Sequence, residues 1–361
     1  MEERWTARLA ERRAQHLYRS RRLSDSPQGP RMLVDGKPLL TFCSNDYLGL
    51  AHDARIVRAL KEGADRWGSG SGAAHLVNGH SSAHHALEEE LAEWLGRERA
   101  LLFSTGYMAN LGVVSSLLER DDCIFQDRLN HASLLDAGLL SRAEFKRYRH
   151  ADALSLQRRI ADSGKGKRRL IATDGAFSMD GYIAKLDQIT TLAERYEALV
   201  MVDDSHAVGF MGPGGRGTHE HHGVMERVDI ITGTLGKALG GASGGYTAGR
   251  REIVEYLRQR SRPYLFSNSV APSIVSASIA ALDILERDTT LRDRLAESTR
   301  YFRDGMRQVG LKVPEGEHPE TNRYGQSIET VPDGHELRGQ SLNINGDTSI
   351  GDNPNRYKQH G

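Results

Sequence analysis

The chain has 361 residues, and its 48 Lys and Arg side chains are balanced by 48 Asp and Glu side chains. A net charge of zero gives no electrostatic footprint for nucleic acid or for an anionic membrane. The two cysteines, Cys43 and Cys123, form no CxxC pair, which predicts a reducing cytoplasm and argues against a disulfide framework or a thiolate zinc site. The charged N-terminal pattern MEERWTARLAERRAQHLYRSRR predicts neither a signal peptide nor a membrane-spanning helix.

Short apolar runs alternate with longer amphipathic patterns along the chain. Helical spacing occurs in SSAHHALEEELAEWLG, where Ser81 or Ser82 caps the start and Gly96 the end, and again in LDQITTLAERYEA. This alternation predicts an α/β fold with a mainly parallel sheet and helices on both faces. The predicted strands are ALLFST (100–105), CIFQD (123–127), RLIATDG (169–175), ALVMVDD (198–204) and VDIITGTLG (228–236).

The composition changes near Thr321, after which the chain is polar, rich in Gly and Asn, and without a sustained period. We interpret this part as loop or disorder. The predicted organisation is an N-terminal helical segment and arm (1–50), a large cofactor-binding domain (51–285), the start of a C-terminal domain (286–319) and an atypical polar tail (320–361).

One lysine lies among six glycines in TGTLGKALGGASGGY, residues 232–246. It does not belong to a P-loop, because only two residues separate Gly233 from Gly236 and because Ala238 follows Lys237. In parallel sheets, chemistry collects at the carboxyl ends of the strands. Here Lys237 shares that edge with the acidic and imidazole side chains of VDDSHAVG. A lysine, a carboxylate and an imidazole together suit pyridoxal phosphate, which needs a lysine for its Schiff base and an acid at its ring nitrogen.

Several long motifs in a fixed order resemble the α-oxoamine synthases, which are fold-type I pyridoxal-phosphate enzymes. FCSNDYLGLA, STGYMAN, DRLNHASLLDA, TDGAFSMDG, LVMVDDSHAVG, GRGTHEHHG and DIITGTLGKALGGASGGY carry the resemblance, which runs from the N-terminus to about Pro319. It implies a fold-type I aminotransferase-like large domain and a homodimer with its active site at the subunit interface. It also implies that the C-terminal small domain is missing or replaced.

The resemblance implies roles for individual residues. Lys237 would form the Schiff base with pyridoxal 5′-phosphate and act as the base, while Asp203 would hold the ring nitrogen protonated. The catalytic set would be completed by His131, on the cofactor ring, and by His206. The cofactor would be contacted further by Ser178 and His206 near the phenolic oxygen, by Gly106, Tyr107 and Thr234 at the phosphate, and by Ser267 and Asn268 from the second subunit. The substrate-binding residues would be Arg19, Asn45, His75 and His131.

The implied reaction joins a small amino acid to an acyl-CoA thioester with loss of CO2 and CoA. Residues 1–167 resemble the branch of the family that joins alanine to a pimeloyl thioester in biotin biosynthesis. Residues 168–319 resemble the branch that joins glycine to acetyl-CoA. The first branch is our main hypothesis, and the second is the alternative.

The segment after Pro319 does not match the family. Members of the family continue into a domain that supplies an arginine for the substrate carboxylate, and Arg323, Arg338 and Arg356 do not lie in that context. A missing bidentate clamp would weaken the binding and orientation of the amino acid. A third hypothesis is therefore a catalytically impaired, cofactor-binding remnant.

Two further patterns invite other functions. GPGGRG (212–217) fits the dinucleotide pattern GxGxxG, but it lies some eight residues past its strand, so we interpret it as a flexible surface turn. The histidine-rich HEHH (219–222) and HSSAHH (80–85) lack thiolates and the HExxH spacing, so a polar loop and a helix start are predicted in place of metal sites. The sequence therefore predicts no metal, no nucleic acid and no membrane partner.

Overall fold

The computed structural model describes residues 2–42, 44–164, 167–240 and 242–321, and the chain divides into two compact units, Met1–Thr41 and Phe42–Gly361. The first unit contains helix α1 (Glu2–Ala14) and an antiparallel hairpin of β1 (Arg31–Val34) and β2 (Lys37–Leu40). Asp35 and Gly36 connect the two strands at φ 51° and 72°. Asp-Gly is favoured there because both central residues of this type of turn need a positive φ.

A seven-stranded sheet forms the centre of the second unit, in the order β3-β9-β8-β7-β6-β4-β5. β5, β4, β6, β7 and β8 pair in parallel, whereas β9 is antiparallel to both of its neighbours, β3 and β8. The predicted α/β class with a mainly parallel sheet is therefore confirmed. The strands are β3 (Arg99–Phe103), β4 (Cys123–Asp127), β5 (Glu144–Tyr148), β6 (Arg169–Asp174), β7 (Leu199–Asp203), β8 (Ile230–Thr234) and β9 (Gly245–Gly249).

Helices cover both faces of this sheet. Alternate residues of β3 show the two-sided burial, since Leu101 and Phe103 pack in one apolar cluster and Leu102 in another. In the described part of the chain, no helix has the length and apolar content needed to span a membrane. The helices of the second unit are α2 (Ala54–Trp67), α3 (Ser82–Trp94), α4 (Gly106–Leu117), α5 (Ala132–Leu140), α6 (Ala153–Ala161), α7 (Leu186–Arg195), α8 (Thr218–His221), α9 (Arg251–Arg260), α10 (Arg262–Phe266), α11 (Pro272–Arg287) and α12 (Thr290–Gln308).

Two strands of the seven-stranded sheet were not predicted from the sequence, and neither were β1 and β2 of the hairpin. β5 reads EFKRY and has no apolar run, because it lies at the edge of the sheet and pairs only with β4. β9 reads GYTAG and is fully buried, but its glycines hide the strand pattern. Gly245 is required there, since a Cβ atom at this position would lie 2.4 Å from the backbone nitrogen of Gly106.

The HEHH segment is helical and buries its first histidine, so the polar loop predicted there is wrong. It forms α8, and His219 is completely buried with its Nδ1 2.9 Å from Asp204 Oδ2. The same carboxylate accepts hydrogen bonds from the Thr218 N–H and hydroxyl. In the preceding turn, the N–H groups of Gly214 and Arg216 donate to Glu220 Oε2. GPGGRG thus forms a turn whose backbone N–H groups bind the Glu220 carboxylate.

Candidate active site

The carboxyl ends of three adjacent strands bring the predicted catalytic side chains together. Asp174 ends β6, Asp203 ends β7, and Lys237 follows β8 by three residues. Lys237 Nζ lies 2.7 Å from His206 Nε2. The predicted neighbourhood of lysine and imidazole is therefore present in the folded chain.

Burial controls the charge of Lys237 and His206. It lowers the pKa of Lys237, although the negative charges of Asp203 and Glu320 oppose this shift. Burial, together with the Lys237 charge, also holds the pKa of His206 well below its usual range. The neutral amine is the form that attacks an aldehyde, so this environment favours Schiff-base formation at Lys237.

Asp203 is buried and fixed by two donors. Its Oδ1 accepts from the Ser205 N–H at 3.0 Å, and its Oδ2 accepts from Asn110 Nδ2 at 2.6 Å. Asn110 is oriented in turn by the hydroxyl of Thr232, which donates to Asn110 Oδ1 at 2.7 Å. The carboxylate therefore has a defined direction, as a group that must meet one nitrogen of a flat ring requires.

His131 caps the N-terminus of α5 beside the same strand ends. Its backbone N–H donates to Asp174 Oδ2 at 2.8 Å, and its Nδ1 lies 2.7 Å from the Ser133 hydroxyl. Burial lowers the pKa of His131, while the charge of Asp203 acts in the opposite direction. The ring of Tyr107 meets the His131 ring edge-on, at 6.2 Å between centroids. His131 is thus placed within the predicted site.

The predicted phosphate end is built at the N-terminus of α4. Thr105 caps this helix by accepting from the Met108 N–H at 3.1 Å, and Gly106 is its first residue. A Cβ atom on Gly106 would lie 3.2 Å from Thr234 Cβ, so Gly106 and Thr234 are neighbours. The positive end of a helix dipole beside a hydroxyl group forms a suitable environment for a phosphate. Tyr107 follows in the helix, with its hydroxyl group donating to Asp136.

Ser267 and Asn268 follow α10. The Asn268 carbonyl accepts from the Ser104 hydroxyl at 2.5 Å within the same chain, two residues before Gly106. Contact of Ser267 and Asn268 with the phosphate bound by a second subunit stays a prediction.

Ser178 lies in the turn 178–180 after β6, and this turn is held by His150. His150 lies between two carboxylates, 3.0 Å from Asp127 Oδ1 and 3.3 Å from Asp180 Oδ2. Burial lowers the pKa of His150, but the hydrogen bonds to Asp127 and Asp180 outweigh this effect and raise it to about 9. A charged His150 therefore stabilises the turn that carries Ser178.

We expect the free energy of unfolding to fall as the pH rises through the titration range of His150. Because the folded-state pKa of about 9 exceeds the ordinary value of 6.5, the protonated state stabilises the fold below pH 6.5, and this contribution is lost as the pH passes 9. After allowance for solvent screening, it amounts to about 2 kcal/mol. Urea unfolding of wild type and His150→Gln across this range measures it. A constant difference between the two proteins at every pH would contradict the assignment.

Two side chains that the sequence did not single out complete the surroundings of His206. The Tyr47 hydroxyl lies 2.7 Å from His206 Nδ1 and donates to Glu320 Oε1. Glu320 is only 1% exposed, and its Oε1 lies 3.3 Å from His206 Nδ1. Tyr47 also approaches Asn45, with 3.5 Å between the hydroxyl and Oδ1, which brings the predicted substrate residue Asn45 to the site.

Replacing Glu320 by glutamine is expected to lower the pKa of Lys237, because a carboxylate favours the protonated amine and an amide carries no charge. The pH midpoint for reaction of the amine with pyridoxal phosphate should then fall by about 0.5 to 1 pH unit. Stopped-flow absorbance against pH measures this midpoint. The exposed Glu317→Gln variant is the matched control and should leave it unchanged. An identical midpoint in Glu320→Gln would show that the charge does not act on Lys237.

The remaining predicted substrate residues are His75 and Arg19. His75 is buried and stacks on Tyr264, with 4.6 Å between ring centroids. Arg19 is exposed within the first unit, and its role stays a prediction. Arg323, Arg338, Arg356 and most of the polar tail lie outside the described residues.

The chain's own groups fit pyridoxal phosphate. The site offers a buried amine with a lowered pKa, an oriented carboxylate, a buried imidazole and a helix N-terminus beside a hydroxyl group. These are the chemical groups that bind the aldehyde, the ring nitrogen, the ring oxygen and the phosphate of this cofactor, respectively.

Comparisons with known proteins agree with this site. A family model described as aminotransferase class I and II matches residues 37–319. The 8-amino-7-oxononanoate synthase of Methylococcus capsulatus is 52% identical over 304 residues, which cover 84% of this chain and 78% of that protein. The protein of the same name from Thioalkalivibrio sulfidiphilus is 46% identical over 336 residues, covering 92% of this chain and 86% of the relative.

Two solved structures with the same fold have names that belong with these comparisons. The serine palmitoyltransferase of Sphingomonas wittichii superposes with a TM-score of 0.82 at 32% identity, covering 86% of this chain and 79% of that chain. The 8-amino-7-oxononanoate synthase of Francisella tularensis superposes with a TM-score of 0.68 at 31% identity, covering 78% and 79%.

Proposed function

The chain belongs to the α-oxoamine synthases, within the class I and II aminotransferases, and we propose that it is an 8-amino-7-oxononanoate synthase. In this reaction L-alanine and a pimeloyl thioester give 8-amino-7-oxononanoate, CO2 and free CoA. The enzyme is a pyridoxal-phosphate-dependent acyltransferase of biotin biosynthesis.

The observation that supports this substrate pair is the extent of the similarity. An alignment of 304 residues is longer than either part of the chain on its own, so it includes residues on both sides of position 167. The alignment with this relative therefore extends into the second part of the chain and is not confined to the first. This favours the alanine-using branch over the glycine-using alternative.

We propose a catalytic role for each of three side chains, and the site geometry supports these roles. The bound cofactor supplies a ring that withdraws electrons from the amino-acid Cα atom. The Lys237 amine, kept neutral by burial, accepts the Cα proton. Asp203, held by Asn110 and Ser205, maintains the positive charge on the ring nitrogen. His131, at the N-terminus of α5, would contact the ring of the bound cofactor and act at the thioester carbonyl.

We also propose that the enzyme works as a cytoplasmic homodimer whose active sites lie at the subunit interface. Ser267 and Asn268 would then reach the phosphate bound by the other subunit. Sedimentation equilibrium with and without pyridoxal phosphate tests the oligomeric state.

The experiment that tests the function measures the release of CoA by the purified protein with pyridoxal phosphate. We expect release with L-alanine and pimeloyl-CoA to exceed release with glycine and acetyl-CoA by about tenfold or more, as differential binding of substrates allows. Faster release with glycine and acetyl-CoA would establish the alternative. Cofactor binding without release from either pair would identify a catalytically impaired remnant.

A further inference from the structure

A group of histidines surrounds the start of α3, outside the site of Lys237. His80 precedes the helix, whereas His85 and Glu88 lie three residues apart on one face of it. One nitrogen of each histidine and one carboxylate oxygen of Glu88 all lie within 4.8 Å of one another.

We propose that His80, His85 and Glu88 form a binding site for Zn²⁺, with the fourth position open to solvent. Two imidazoles and a carboxylate form a common three-ligand set for this ion. The site is independent of the function proposed for Lys237, because none of the three side chains contacts Lys237, His206 or Asp203 among the described residues.

His80 is oriented as a ligand by a second imidazole. Its Nδ1 lies 2.8 Å from His75 Nδ1, and His75 is held by its stacking on Tyr264. When His80 Nδ1 donates this hydrogen bond, its Nε2 carries a free lone pair, which is the usual support behind a metal-bound histidine.

Glu88 supplies a buried negative charge to the site. Its Oε1 accepts from the Leu102 N–H at 2.9 Å, which fixes the carboxylate and leaves its second oxygen for a ligand. The nearby Arg258 is held by Glu255, with N–O distances of 2.7 and 3.0 Å. A divalent cation would stabilise the ionised form of Glu88 directly.

His84 lies next to His85 in the sequence but is not one of the proposed ligands, because its two ring nitrogens already have partners. His84 accepts from the Ser81 N–H through Nδ1 at 3.1 Å and meets the Val270 carbonyl through Nε2 at 2.7 Å, so both of its nitrogens are occupied. His85 makes only an exposed contact with Glu89 at 3.3 Å, which costs little to break. His85 and Glu88 line an open crevice, which gives the ion a route from solvent.

Zinc titration of the full-length holoenzyme, stripped of metal by EDTA, tests the proposal. In competition with a chromogenic chelator, we expect wild type to bind one Zn²⁺ per chain. His85→Ala should weaken this binding by about 10- to 100-fold or more. Because His85 is exposed, its removal leaves the fold intact, and the exposed His52→Ala is the matched control with unchanged affinity.

A second variant addresses the buried ligand. Glu88→Gln keeps an acceptor for the Leu102 N–H but removes the charge, so it too should weaken zinc binding. Zinc should raise the unfolding midpoint of wild type and of His52→Ala, but not that of His85→Ala. Equal zinc affinity in wild type, His85→Ala and Glu88→Gln would overturn the proposal, as would a stoichiometry well below one. CoA release, measured separately, reports on Lys237 and not on this site.

Discussion

Lys237→Ala is expected to abolish the visible absorbance that pyridoxal phosphate acquires on binding to wild type and to lower the rate of CoA release by about 10³-fold or more. The physical reason is that the buried amine both holds the cofactor and moves the substrate proton, and the described site shows no second amine within reach of His206. Absorbance spectroscopy and the CoA assay measure the two effects.

The exposed Lys185→Ala is the matched control for loss of a lysine, and we expect wild-type spectra and rates from it. A visible band that survives in Lys237→Ala would mean that another lysine holds the cofactor. That result would reject the assignment of Lys237 while leaving the fold unchallenged.

Asp203→Asn is expected to lower the rate of CoA release by about 10²- to 10⁴-fold and also to lower the unfolding midpoint. The amide preserves the shape of the carboxylate but removes the charge that keeps the ring nitrogen protonated. It also turns one acceptor into a donor, which conflicts either with Asn110 Nδ2 or with the Ser205 N–H. Turnover, cofactor affinity and the unfolding midpoint measure these changes.

The exposed Asp187→Asn provides the comparison for Asp203→Asn and should match wild type. A rate within threefold of wild type in Asp203→Asn would contradict the role of this carboxylate. A large loss of stability with normal turnover per folded molecule would assign it a structural role instead.

Much of the fold could be predicted because periodicity and burial agree in most elements. CIFQD was predicted as a strand at 123–127 and forms β4 over Cys123–Asp127. The helix predicted from residue 81 or 82 to residue 96 begins after its cap, Ser81, and spans Ser82–Trp94. β9 escaped prediction because Gly245 serves close backbone packing, and a glycine contributes nothing to an apolar pattern.

The candidate site was predictable where it follows strand ends. The rule that chemistry collects at the carboxyl ends of parallel strands placed Asp203, His206 and Lys237 together, and they lie together. Glu320 could not be found in this way, because it lies in a segment without a period. Its burial depends on Tyr47, which is far away in sequence. The triplet TDG lies at the end of β6, and the same rule applied to its acidic residue would have predicted Asp174 as a residue of the site.

The antiparallel strand β9 has a consequence for biosynthesis. Arg99 in β3 pairs with Gly249 in β9, so β3 cannot join the sheet until the ribosome has made its partner. At ~5–20 residues per second, the delay is roughly 7 to 30 s. During that time the apolar side chains of Leu101, Leu102 and Phe103 lie on an unpaired strand of the nascent chain. Chaperone demand during translation should therefore peak between synthesis of these two strands.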